Sequence, residues 1–348
     1  MNQKRFLSVI VVILLVGIGG YFLLNRQDFS HALPLTKEDG FEEGKKFYVL
    51  KGIAMNDLML DSFDIKSITK KFYEQHPDNY DFLAIVTGFL VGESVGQVPP
   101  SFTGVKNDVK GIRNLPRGYQ SSSLFDYSAD YGSDGKLRGI IFINDIDNAM
   151  GLNKFFGINA VIHEIGHTWL MYLGDDRLKI NRDGSHWSNF VDASVRINGK
   201  IYPNPGNGGI WQENADGTFS GLNIPSEIFT EHSYRFRYTS LDLYLMGLIP
   251  ASKTQPILLI NPKEMSQEVT NQNVIGTKYL ITIGDLIKLG GPREPAYPNT
   301  QNEFTIALIL VVKKEVTESQ FVIMNWIAKN LPEAWAEATN HNSELIIK

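Results

Sequence analysis

Residues 153–173 read NKFFGINAVIHEIGHTWLMYL, and this stretch decides how the rest of the chain is interpreted. Its apolar residues recur every three or four positions, the spacing that places side chains on one face of an α-helix. These positions are Phe155, Ile158, Ile162, Ile165, Trp169 and Tyr172. Asn153 is a suitable N-cap residue and Gly174 a suitable C-terminal stop. The pattern therefore predicts an amphipathic helix over residues 153–173.

Within this predicted helix, residues 163–167 read HEIGH, the pattern H-E-x-x-H. Because four residues make little more than one helical turn, His163 and His167 project from the same side. Two imidazoles so placed can occupy adjacent corners of a tetrahedral Zn2+ site, with Glu164 close enough to reach a bound water. The alternative is a helix with two core histidines and a solvent-exposed glutamate. Gly166 favours the metal site, since a residue without a side chain lets another segment approach.

The same motif predicts a reaction. Zinc lowers the pKa of a bound water and polarises a carbonyl group, and Glu164 can take the proton from that water. Glu164 can then pass the proton to the leaving nitrogen. We therefore expect that replacing the Glu164 carboxylate leaves zinc bound and removes catalysis.

Composition excludes several classes of protein. The 348 residues contain no cysteine, which rules out disulfides, thiolate zinc fingers, iron–sulfur clusters and a cysteine nucleophile. Any metal must therefore be held by histidine, aspartate or glutamate. The formal net charge of −5 provides no basic field for phosphates, so nucleic acid is not an expected partner.

A third metal ligand has to come from outside the motif. His186 follows His167 by 19 residues in the sequence DGSHW at 183–187, and its position makes it the favoured candidate. The other candidates are Asp192, Glu227, Glu231, His232 and Asp242. A different interpretation of His186 is a surface-loop imidazole stacked on Trp187. We do not expect His31, His76 or His341 to bind the metal, because of where they lie along the chain.

The N-terminus predicts membrane insertion. Residues 6–24 read FLSVIVVILLVGIGGYFLL, 19 residues without a charge, and they follow Lys4 and Arg5. At about 1.5 Å per residue such a helix crosses a hydrocarbon layer of about 30 Å. We expect residues 1–30 to form a cytoplasmic tip and a transmembrane signal-anchor, which places the remainder outside the cytoplasm at the cell surface. A cleaved signal peptide, and hence a secreted protein, is the alternative.

The rest of the chain predicts the α+β class, with a mixed sheet packed on the HEIGH helix. The expected helices are residues 61–75 and 319–340, and the expected strands are 81–91, 137–144 and 303–312. We expect residues 31–44 to be a linker and residues 45–348 to form one domain. Within it, the catalytic core is expected at about 61–250 and a C-terminal part at 251–348.

Residues 81–247 resemble the zincin metallopeptidases. The resemblance rests on the HEIGH helix, the strand predicted at 137–144 and a downstream methionine segment. It implies a zincin-like fold in which residues 137–144 are the edge strand that aligns an extended polypeptide substrate. The chain departs from the metzincin branch, because Leu170 and Leu173 stand where the extended motif has glycine and a third histidine.

The methionine segment is residues 240–247, SLDLYLMG. It resembles the methionine-containing turn beneath the zinc of metzincins, and also an Asp-x-Tyr-x-Met-Gly stretch in uncharacterised bacterial peptidases. The resemblance implies that Met246 forms an apolar floor, that Tyr244 is catalytic by hydrogen-bonding the oxyanion, and that Asp242 orients a ligand histidine. The alternative is a buried amphipathic helix in which methionine fills a gap.

These observations favour a membrane-anchored, extracytoplasmic zinc metalloendopeptidase. Its expected ligands are His163, His167 and His186, with Glu164 as general base. Two other functions stay open: a non-catalytic surface binding module stabilised by zinc, and a zinc amidase acting on cell-wall material. A purely structural zinc site would have no use for Glu164, which argues against the binding module.

Overall fold

The computed structural model contains both helices and strands. The structure describes residues 46–51, 64–91, 100–111, 124–147, 154–170, 186–222, 236–263 and 273–348. Their helices are α1 (Ile65–Tyr73), α2 (Lys154–Gly166), α3 (Ser240–Met246), α4 (Ile283–Gly290) and α5 (Glu318–Ala338), with 3-10 turns at Ser128–Tyr131 and Ala251–Lys253. Their strands are β1 (Tyr48–Lys51), β2 (Phe82–Thr87), β3 (Ser101–Gly104), β4 (Lys106–Asn107), β5 (Phe125–Asp126), β6 (Gly139–Ile143), β7 (Trp187–Asp192), β8 (Val195–Ile197), β9 (Lys200–Tyr202), β10 (Asn207–Gly209), β11 (Trp211–Glu213), β12 (Phe219–Gly221), β13 (Ile257–Pro262), β14 (Asn273–Val274), β15 (Gly276–Ile281), β16 (Glu303–Val312) and β17 (Glu344–Ile347).

The apolar run EFTIALILVV forms β16, an internal strand of the main sheet. All of its residues except Glu303 are buried, because both faces of the sheet are covered. The strand order is β1-β16-β2-β6-β3, and β17 also pairs with β16. β1, β2 and β17 run parallel to β16 and β6 runs parallel to β2, whereas β3 runs antiparallel to β6. The sheet is therefore mixed, with its one antiparallel strand at an edge.

Successive residues of β16 point to opposite faces of this sheet. Leu308 and Leu310 belong to the core that contains the buried residues of α2 and α5. Ile309 and Val311 belong to a second core that contains those of α1. The helices α2 and α5 also contact each other. The helix that carries the HEIGH motif thus packs against the sheet and beside α5 on the same face.

The α+β class predicted from the sequence is confirmed. The prediction that residues 137–144 form the edge strand is wrong, because β6 pairs with β2 on one side and with β3 on the other. Among the described residues the edge on this side is β3, whose pairing partner lies more than thirty residues away and leaves no local signal. Strand β16 comes from the predicted C-terminal part of the domain, residues 251–348, and it lies between β1 and β2 in the main sheet.

Smaller sheets extend from this core. One has the order β10-β7-β13-β15, another has the order β11-β12-β14, and β4–β5 and β8–β9 are two-stranded. The described residues belong to one compact unit, Phe41–Lys348. In the described part of the chain no helix has both the length and the apolar character needed to cross a membrane. The predicted membrane segment at 6–24 and the linker at 31–44 lie outside the described residues.

Candidate metal centre

The HEIGH motif lies at the C-terminal end of α2. The helix ends at Gly166, and the backbone then tightens, with His167 N donating to Glu164 O at 3.1 Å. His163 and His167 nevertheless project from the same side, as their spacing predicts. Their ring centroids are 4.7 Å apart and their Nε2 atoms are 3.0 Å apart. The local geometry of the helix end therefore points two nitrogen atoms at one place.

His186, the residue immediately before β7, brings a third imidazole to the same place. Its Nε2 atom lies 3.2 Å from His163 Nε2, and its ring centroid lies 4.9 Å from that of His167. Among the described residues these three histidines are the one group of His, Cys, Asp or Glu side chains that could hold a metal ion. Zinc–nitrogen distances of about 2.0–2.1 Å put neighbouring tetrahedral ligands roughly 3.4 Å apart. The two Nε2–Nε2 distances of 3.0 and 3.2 Å are slightly shorter than this value, so the three imidazoles fit adjacent corners of a tetrahedral zinc site.

The protonation of His163 suits a metal ligand. Its Nδ1 atom makes a hydrogen bond to the carbonyl oxygen of Pro205. Because a carbonyl only accepts, Nδ1 carries the proton, and in the neutral ring Nε2 then presents a lone pair. Metal-bound histidines usually have their second nitrogen held by a carbonyl or carboxylate in this way.

Glu164 is buried beside His163. The residue is 4% exposed, and its Oε1 atom lies 3.9 Å from His163 Nε2. Burial raises the pKa of Glu164 to about 8. The alternative of core histidines with a solvent-exposed glutamate is wrong, because His163 and His167 are half-buried whereas the glutamate is buried.

The position of Tyr238 explains why residue 166 is a glycine. A role for this tyrosine was not predicted from the sequence. A Cβ atom at Gly166 would lie 2.6 Å from the Tyr238 hydroxyl oxygen. That hydroxyl donates a hydrogen bond of 2.7 Å to the carbonyl oxygen of Ile162, the residue before His163. Burial raises the pKa of Tyr238 far above its ordinary value, which keeps the hydroxyl a donor. The glycine therefore does let another segment approach the helix, as its position in the motif suggests.

Asp242 lies at the N-terminal end of α3 and is fully buried. Its Oδ1 atom accepts a hydrogen bond from Trp187 Nε1 at 3.0 Å. Its Oδ2 atom accepts from Asn204 Nδ2 and from both the backbone and the hydroxyl of Thr239. Burial raises the pKa of Asp242, and these four hydrogen bonds act in the opposite direction. Both oxygens are thus engaged away from the histidines.

Other predicted site residues are found elsewhere or are not described. The Tyr244 hydroxyl accepts a hydrogen bond of 3.1 Å from the backbone of Arg293, and Met246 is buried in the core. The carboxylate of Asp192 accepts from Ser194 and Arg196. A catalytic role for Tyr244 stays a prediction. The alternative ligands Glu227, Glu231 and His232 lie outside the described residues.

The edge strand β3 passes close to the histidines. The ring of Phe102 lies 6.4 Å from that of His167, measured between centroids. Gly139 in β6 makes room for this ring, because a Cβ atom there would overlap it. The helix α2 contacts both β3 and β6. The histidines therefore lie near the antiparallel edge of the main sheet.

We compared the chain with protein-family models, with curated proteins and with solved structures, and found no match.

Proposed function

We propose that this protein is a zinc metallopeptidase whose ion is bound by His163, His167 and His186. The observation that carries the proposal is the convergence of three imidazole nitrogens next to the buried carboxylate of Glu164. Three protein ligands leave one tetrahedral position for water, which is the arrangement of catalytic rather than structural zinc sites. The absence of cysteine fits the same arrangement.

Zinc, when bound, supplies an acidic water and polarises the carbonyl group of a substrate. Glu164 is in our proposal the base that accepts the proton from that water, because it is the one carboxylate beside the histidines among the described residues. Glu164 then delivers the proton to the departing amine, which completes hydrolysis of the amide bond.

A polypeptide substrate is supported by the edge strand. Within the described residues β3 pairs with β6 only, so its other side offers backbone groups to an extended chain. Main-chain hydrogen bonds of this kind hold peptides of many sequences. The place of β3 near His167 would bring such a peptide to the metal, and this arrangement resembles that of the zincins. We therefore propose a zincin-like fold as the finer description of the α+β class.

We also propose that residues 6–24 anchor the protein in a membrane with the peptidase domain outside the cytoplasm. The support is the uncharged run of 19 residues after Lys4 and Arg5. A reporter fused to the C-terminus and active only outside the cytoplasm tests this orientation. An inactive reporter on a fully expressed fusion would contradict it.

The central experiment measures zinc content and hydrolysis by the purified full chain. The wild type should bind one zinc ion and cleave unfolded protein or a peptide mixture. Glu164→Gln should keep the zinc and lose roughly 10²–10⁴-fold in rate, as expected for removal of a general base. His186→Ala should lose zinc affinity as well as activity, because two ligands remain.

The matched control is His76→Ala. This imidazole packs on the Phe72 ring at 4.5 Å and lies outside the histidine group. Its loss should leave zinc content and activity unchanged. A wild type without zinc would overturn the proposal, and full activity in Glu164→Gln would overturn the role of Glu164. Cleavage of cell-wall amides but of no peptide would instead identify a zinc amidase, and zinc binding without hydrolysis a binding module.

A further inference from the structure

We propose that Asp242 is a positioning residue for the metal centre and holds two of its three histidines through separate contacts. The inference rests on the proposed zinc site and concerns how that site is kept in shape. Asp242 touches none of the histidines in this arrangement. Its contacts with Trp187 and Asn204 are each made one residue away from a ligand or from the group that orients a ligand.

The first contact acts on His186. The Trp187 indole donates from Nε1 to Asp242 Oδ1 at 3.0 Å, and Trp187 is the residue that follows His186. Both the ring and the carboxylate are buried. The backbone of Trp187 also donates to the carbonyl oxygen of Gly206 at 3.2 Å. Residue 187 is thus held at both its backbone and its side chain, which limits where the preceding imidazole can lie.

The second contact acts on His163. Asn204 donates from Nδ2 to Asp242 Oδ2, while its own Oδ1 accepts from the backbone of Gly206. These two bonds fix the turn that contains Pro205. The Pro205 carbonyl oxygen is the partner of His163 Nδ1 and therefore sets the orientation of that ring.

Capping of α3 does not explain why residue 242 carries a carboxylate. The first turn of α3 is a capping box, in which Thr239 and Asp242 exchange hydrogen bonds. α4 begins with a capping box of the same kind, in which Thr282 and Asp285 make hydrogen bonds of 2.8, 2.7 and 3.3 Å. The corresponding distances between Thr239 and Asp242 are also 2.8, 2.7 and 3.3 Å. In α5 the neutral side chain of Gln320 fills this position. Capping alone is therefore satisfied by an amide, whereas the donors of Trp187 and Asn204 call for two accepting oxygens.

The test compares zinc affinity in Asp242→Asn and Asp285→Asn, measured on the full chain by competition with a chromophoric chelator. Asparagine at 242 can still accept at one oxygen, but it turns an amide donor toward another donor. We expect affinity to fall about tenfold, the lower end of the effect of residues that orient metal ligands. Asp285→Asn alters the same capping box elsewhere and should leave affinity unchanged.

Two further variants keep the proposal testable if Asp242→Asn fails to fold. Trp187→Phe removes the indole N–H of the first contact together with part of the buried ring, and Asn204→Ala removes the second contact. Each should weaken zinc binding, and the cobalt-substituted protein should show an altered visible absorption spectrum, which a general loss of stability would not produce. Where both fold, Asp242→Asn and Trp187→Phe together should weaken binding less than the product of their separate effects.

The outcomes separate this inference from the proposed function. Wild-type zinc affinity in Trp187→Phe and Asn204→Ala, or equal losses in Asp242→Asn and Asp285→Asn, would overturn the role of Asp242 and leave the peptidase proposal standing. A wild type that binds no zinc would overturn both.

Discussion

The two faces of the main sheet use histidine in opposite ways. On the α1 face, the His76 ring lies 4.5 Å from the rings of Phe72 and Tyr48 and serves as an aromatic packing group. On the α2 face, His163, His167 and His186 have ring centroids 4.7–5.1 Å apart, yet their Nε2 atoms converge. The distances between rings are similar in the two places. The direction of the nitrogen atoms, rather than the closeness of the rings, distinguishes candidate ligands from packing residues.

The faces also differ in how their buried carboxylates are held. Asp81, which shares the α1 face with Leu83, is 1% exposed and forms an ion pair with Lys136 Nζ at 2.9 Å. The core on the α2 face adjoins the buried carboxylates of Glu164 and Asp242. Burying a carboxylate costs free energy unless a cation or hydrogen-bond donors offset the loss of water. We therefore expect the two faces to respond differently to pH, to truncation and to added volume.

The largest expected difference is in pH dependence. An unfolded chain releases the Glu164 proton near the ordinary pKa of 4.5, whereas the metal-free folded protein holds it up to about pH 8. The unfolded state therefore binds fewer protons between these values, and the free energy of unfolding falls as pH rises through this window. The shift corresponds to a loss of about 5 kcal/mol. Urea unfolding of chelator-treated protein at pH 5 and pH 8 measures it.

Substitution assigns this effect to one side chain. Glu164→Gln should flatten the pH dependence of the metal-free protein, because the amide does not titrate. Glu74→Gln, an exposed position that follows α1, should leave the dependence as in the wild type. A pH dependence that persists in Glu164→Gln would assign the effect to other groups.

Core truncation should lower stability on both faces but affect zinc on one. Ile165 in α2 and Ile85 in β2 are both fully buried, on opposite faces of the sheet. Replacement of either by alanine should cost about 3 kcal/mol of unfolding free energy in the metal-free protein. Only Ile165→Ala should also weaken zinc binding several-fold, because Ile165 lies in the sequence between two of the proposed ligands, His163 and His167. Equal zinc affinities in the two variants would show that the site tolerates a cavity beneath it.

The smallest expected effect concerns two helical glycines. Gly166→Ala places a methyl group against the Tyr238 hydroxyl and should cost about 2 kcal/mol of stability as well as zinc affinity. Gly284→Ala in α4 meets Thr282 Oγ1 at an ordinary 3.5 Å and should gain about 0.5–1 kcal/mol from helix propensity. Thermal unfolding with and without zinc measures both. Stabilisation by both changes would contradict the close approach of Tyr238.

Local patterns predicted three of the five described helices and three strands of the main sheet. The helix expected at 319–340 is Glu318–Ala338, and the strand expected at 303–312 coincides with β16. The dipeptides Asn198-Gly199 and Asp216-Gly217 are typical of hairpin turns, and they lie between β8 and β9 and between β11 and β12. These features were predictable because hydrophobic periodicity and turn residues act over a few neighbours along the chain.

The edge strand and the contacts of Asp242 were not predictable in the same way. Both depend on segments that are distant in the chain: Asp242 is 55 residues from Trp187 and 38 from Asn204. The sequence did suggest that Asp242 orients a histidine, but not the two indirect routes by which its contacts reach His186 and His163. The contact between the Tyr238 hydroxyl and α2 was not predictable, because no residue pattern near position 238 in the sequence indicates a buried hydroxyl group.

Local patterns in the sequence were enough to predict the α+β class and the shared side of His163 and His167. The spacing of four residues brings the pair together, although His163 lies in the helix Lys154–Gly166 and His167 in the turn that follows it. Only the tertiary structure decided that His186 approaches them, that β3 is the edge, and that Glu164 is buried. Those outcomes depend on the packing of whole elements, where many weak contacts are summed and no single spacing along the chain records the result.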